Sequence, residues 1–146
     1  MAACMSASIP ATAFAAQNTE LASYREEISE NKDTLGEILS RGKELMEQIR
    51  EIQKEIKESK SLSEEDRDAV SKIAEAIKQL RQDLKEKREE VTELREDGKE
   101  AVSEKNMDAA KESLEQVLAI QSDQIQMQTE LESLLGEKLE LLEAVK

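Results

Sequence analysis

The sequence predicts an all-α fold, an elongated antiparallel three-helix bundle that runs up, down and up. Three observations predict it. Two long segments carry apolar heptads without a register slip, the single Pro sits at position 10, and three helical stretches of matched length follow it. An apolar residue every 3.5 positions makes a narrow stripe that water would otherwise solvate, so each such helix needs another to cover it. At 1.5 Å rise, helices of about 40 residues are each about 60 Å long, and equal lengths fit one bundle.

The first helix is expected over about 19–60, with Asn18 or Thr19 as its cap. Its a and d positions run Leu21, Tyr24, Ile28, Asn31, Leu35, Ile38, Gly42, Leu45, Ile49, Ile52, Ile56 and Ser59. Asn31 and Gly42 interrupt this seam. Asn at a core position fixes register or partner number at some cost in stability. Glu37 precedes Arg41 by four residues and Glu51 precedes Lys54 by three, spacings that add helix-supporting charge pairs.

Ser63 followed by Glu64, Glu65 and Asp66 signals the next helix start, a hydroxyl cap before acids in the positive first turn. The second helix, about 63–105, repeats the heptad at Val70, Ile73, Ile77, Leu80, Leu84, Lys87, Val91, Leu94, Gly98 and Ala101. Its end is expected at Glu104–Asp108, with Asn106 in the left-handed conformation and Asp108 capping the next helix. A break at Gly98 is the alternative and would leave a short segment at 99–105.

The third helix, about 107–145, has a wider stripe that includes Leu114, Val117, Leu131, Leu135, Leu139 and Leu142. Its middle is rich in Gln. Gln121, Gln124 and Gln128 fall on the seam, with Ile120, Ile125 and Met127 around them. Two readings follow: a polar layer inside the bundle, or a face for a partner or for self-association. Ile120, Gln121, Gln124, Ile125, Met127 and Gln128 are therefore the candidate partner face. This helix is also the most unbalanced in charge, with 9 acids against 3 bases over 106–146.

Residues 1–16 carry no charge and are rich in Ala and Ser. Ala13-Phe14-Ala15 has the small-x-small form that signal peptidase reads, so 1–16 is expected to be a residual leader and 17–146 a single helical domain. No Lys or Arg follows Met1, which suggests a start assigned inside a longer bacterial leader. If Met1 is the true start, the chain is a cytoplasmic protein with an Ala-rich tail.

Composition narrows the function. There is no His, the only Cys is Cys4, and the net charge is −13. Serine- or cysteine-type catalysis needs a base, usually His, and a di-iron bundle needs Glu-x-x-His pairs. Neither pattern exists here, nor does a calcium loop or a phosphate-cradling glycine loop. No cofactor or metal is expected, and no enzyme activity. The acidic balance argues against nucleic acid and anionic membrane surfaces, whose phosphates require Lys and Arg faces. What remains is an exported, non-catalytic coiled-coil protein that serves as a structural or protein-interaction module, with a protein partner or itself as the ligand. A holdase-type chaperone of the cell envelope is the alternative. Such chaperones are basic where they meet clients, and this chain is acidic overall.

Overall fold

The computed structural model describes residues 11–59 and 62–145, with side chains described over 19–58 and 62–145. It contains three helices: α1 (Ala11–Ser59), α2 (Glu64–Ser103) and α3 (Met107–Val145). Each apolar a and d position of the two heptad runs is buried or half-buried from Leu21 to Ile56 and from Val70 to Ala101. The expected three-helix bundle is what forms. Of the leader, Cys4 and Pro10 lie outside the described residues.

Two element ends differ from expectation. The backbone of α1 is already helical at Ala11, so Asn18 and Thr19 lie inside the helix and not at its start. The Ala-rich stretch explains this, since Ala has the highest helix propensity and no charge opposes extension. Between α2 and α3 the break falls within 104–108, but Lys105 and not Asn106 takes the left-handed conformation, at φ 59°. The Lys105 N–H donates to the Val102 carbonyl and the Asn106 N–H to the Ala101 carbonyl. That pair of bonds closes the last turn in a Schellman motif. Asn106 then serves the next helix: its side-chain oxygen accepts from the Ala109 N–H at 3.2 Å, the role expected of Asp108. Helix α2 passes through Gly98 without a break. Gly98 is buried there, and a methyl group in its place would lie 3.5 Å from Ser113 Cβ, so α2 and α3 approach closely at this point.

The turn into α2 behaves as its residues predict. The Ser63 oxygen accepts from the Asp66 N–H at 3.2 Å, and its hydroxyl donates to Asp66 Oδ2 at 2.7 Å. Acids at Glu64, Glu65 and Asp66 face the positive end of the helix dipole.

The core has two characters. Toward the α1/α2 turn it is built from large aliphatics, among them Ile49, Ile52, Ile56, Leu84, Leu131 and Leu142. Toward the α2/α3 turn it narrows to Leu21, Ala101, Met107 and Ala110, then Ile28, Val91 and Val117. The amides of Gln121, Gln124 and Gln128 lie between, all buried.

Helix α3 is the central element. Its backbone packs closely against both α1 and α2, whereas no Cα of α1 comes within 8 Å of a Cα of α2. The bundle therefore has two closed seams and one open one.

Candidate functional site

The open seam is a groove with α1 on one side, α2 on the other and α3 as its floor. It is lined near one end by Arg25, Ile28, Leu94, Val102 and Leu114, and near the other by Ile56, Lys57, Arg67, Val70 and Leu142. Two of its sections have volumes of about 550 and 590 Å³. Leu39, the one large hydrophobic residue exposed among the described residues, lies on its wall.

The heptads dictate the charge of the walls. On α1 the positions facing the groove carry Arg25 and Lys32 in one column, and Lys43, Arg50 and Lys57 in another. On α2 one column holds Arg67, Arg81, Arg88 and Arg95, and its neighbour holds Lys78, Lys85 and Lys99. Each column repeats at multiples of seven residues, which keeps it on one side of a supercoiled helix. None of the chain's 34 acids falls in these columns between residues 25 and 57 or between 67 and 102. The acids occupy the outer columns instead. Glu30, Glu37, Glu44, Glu51 and Glu58 form one such exposed row on α1. On the far side of α2, against α3, a shallow surface is lined by Glu90, Glu93 and Asp97. A chain of net charge −13 thus carries a cationic groove.

These cations are not neutralised internally. Among the described residues the ion pairs are Arg41–Glu132 at 2.8 Å, Lys111–Glu20 at 3.4 Å and Lys87–Glu90 at 3.9 Å, and none uses a groove cation. Across the open seam, Arg81 Nη2 donates only to the sulfur of Met46, at 3.1 Å. Lys138 rises from α3 into the same groove. Partial burial lowers its pKa below the usual lysine value, and the neighbouring Arg81 charge lowers it further. Both walls thus carry rows of the same sign of charge, and exposed charges of this kind are screened by salt beyond about 8 Å.

The α1/α3 seam is the opposite case. Lys111 reaches Glu20, the Tyr24 hydroxyl donates to Glu115 Oε1 at 2.8 Å, and Arg41 reaches Glu132, each pair separated by 91 residues. The hydrogen bond to Glu115 raises the Tyr24 pKa, and Glu20 and Glu132 do the same for Lys111 and Arg41. Since 91 is a multiple of seven, the two parallel helices keep their repeats in phase along this seam.

Of the candidate face on α3, the three Gln residues are buried within the bundle and the three apolar residues are half-buried. Gln121 is 1% exposed. Its Oε1 accepts from Asn31 Nδ2 at 3.2 Å, and its Nε2 donates to the Ile28 carbonyl at 3.3 Å. Gln124 and Gln128 are buried, and Gln128 also borders the groove. Ile120 and Met127 pack half-buried against the core, and Ile125 is half-buried as well. The structure brings the three Gln residues together as a polar layer. In the single chain all three side chains are buried, with Gln128 at the groove's edge.

Reading only a and d positions misses the groove, and so does counting charge helix by helix, because each helix nets negative. The signal was present as Arg81, Arg88 and Arg95 at strict seven-residue spacing. Among the described residues no cluster of side chains could hold a metal ion, and no helix is long and apolar enough to cross a membrane. Comparison with protein families, curated proteins and solved structures finds no match to this chain.

Proposed function

We propose that this chain is a non-catalytic helical interaction module that offers the α1/α2 groove to a protein partner. The observation that carries the reading is the open seam, with apolar surface between rows of unpaired cations. Two helices joined by a short turn ordinarily bury their facing stripes against each other. Here α3 takes that role for both, and the remaining surface has the form of a helix-binding groove.

The Ala13-Phe14-Ala15 pattern supports export with cleavage after Ala15 or Ala16. Cleavage there would shorten α1 by its first turns and leave Leu21, the first buried residue of the seam, in place. Ile120, Gln121, Gln124, Ile125, Met127 and Gln128 would serve a partner only if α3 were exchanged between copies, with Gln121 bonded across chains.

Light scattering over a range of concentrations tests the reading. A concentration-independent monomer is expected, and a stable dimer would transfer the binding role to exchanged helices. One observation favours the holdase alternative: the cationic, apolar groove supplies the basic client surface that the net charge hides. Suppression of client aggregation at near-stoichiometric ratio would establish that alternative, whereas the module predicts no suppression.

A further inference from the structure

We propose that the groove receives an acidic amphipathic helix from a partner protein, which becomes the fourth helix of the bundle. This rests on the interaction-module reading and names the chemistry of its partner. Three features of the groove specify that occupant.

The first is length. From Arg25 to Lys57 the groove follows α1 for about 48 Å at 1.5 Å per residue, the span of a helix of about four to five heptads. The second is repeat. The cation columns recur every seven residues on both walls, so only a ligand with the same repeat meets all of them. An α-helix with Leu or Ile at a and d and Glu beside them has that repeat. The third is the division of chemistry across the groove. Half-buried Met46, Leu94, Val102 and Leu114 give it apolar surface between the cation columns of α1 and α2, and α3 adds Lys138 and Glu132 from the floor. A nucleic acid would contact the cation columns and gain nothing from such a surface, and the groove has no aromatic residue on which bases could stack. A single-headed lipid would leave most of the cation rows unused. Leu39, exposed at 46%, is an apolar contact that such a helix would cover.

The test uses the full chain and four labelled synthetic peptides in fluorescence anisotropy at physiological salt. One is a four-heptad helix with Leu at a and d and Glu at the flanking positions. The others are the same composition in permuted order, a version with Gln for Glu, and a version with Lys for Glu. The acidic helix is expected to bind one-to-one, with an affinity that falls as salt rises, and the permuted peptide is expected not to bind. The double variant Arg81→Glu/Arg88→Glu should weaken the acidic helix about tenfold or more and gain binding of the Lys helix. Both positions are exposed, and circular dichroism would establish that the variant is folded. Leu39→Glu, a single exposed change on the groove wall, should weaken the acidic helix independently.

If the Gln helix binds as tightly as the Glu helix, the acidic partner is wrong and the interaction module stands. If no helix of any charge binds, both fall. Displacement by a simple polyanion that binds wild type equally well would overturn the helical occupant. So would a dimer of the chain that the double variant dissociates, which would make the occupant a second copy.

Discussion

The α1/α3 and α1/α2 seams are built from the same helix, yet one is closed and the other open. Along the first, α1 presents Glu20, Tyr24 and Arg41 to complementary groups on α3. Along the second, it presents Arg25, Lys32, Lys43, Arg50 and Lys57 to the Arg and Lys columns of α2. Apolar stripes bring all three helices together, and the charges that flank them are complementary along α1/α3 and alike along α1/α2. Exposed ion pairs are each worth little, about 0–1 kcal/mol.

The comparison is broken most severely at the element common to both seams. Leu135 on α3 is 4% exposed, lies 3.8 Å from the position a methyl group on Gly42 of α1 would occupy, and borders the groove. Leu135→Ala is expected to cost about 2–5 kcal/mol in urea or thermal unfolding, loosening α1 and α2 together. Ser63→Ala acts at the turn that joins the two walls of the open seam. Loss of its capping bond should cost about 1 kcal/mol, with little change in the groove's charge. Arg81→Glu/Arg88→Glu sharpens the contrast, since it gives the open seam the complementary charges of the closed one. Stability of this variant should rise by about 0.5–1 kcal/mol at low salt, and the gain should shrink as salt is added. The smallest effect is a local one on the closed seam. Tyr24 is the only Tyr, so its phenolate absorbance reports one site. The bond to Glu115 raises its folded pKa above the unfolded value. The associated stability is present below the usual tyrosine pKa and is lost as pH rises through the raised one. Alkaline titration should show ionisation at higher pH than in Glu115→Ala.

Much of the fold was legible because burial imposes a period. The stripes from Leu21 to Ile56 and from Val70 to Ala101, the Ser63 cap and the length match are all local patterns, and the bundle follows from them. The polar layer was one of two readings of the Gln residues. Its choice depended on Asn31 standing opposite Gln121, a relation between residues 90 apart that no local window contains. Lys105 took the left-handed position expected of Asn106 because Asn106 was the better cap for α3, and one residue cannot fill both roles. The groove was legible only in the column of Arg81, Arg88 and Arg95, and not in the helix charges. Net charge sums over all faces of a helix, and a segregated surface cancels in the sum.

The 91-residue offset has a further consequence for how the chain finds one structure. Because α1 and α3 repeat in phase, a slide of one heptad would set apolar residue against apolar residue again, leaving a near-degenerate competitor to the native alignment. Polar groups lift the degeneracy. Moved by seven residues, Gln121 would lose Asn31 and sit buried against Tyr24 or Ile38, with an amide left unpaired at a cost of about 1–3 kcal/mol. The polar level of the core is thus the one that sets the phase of the whole rod.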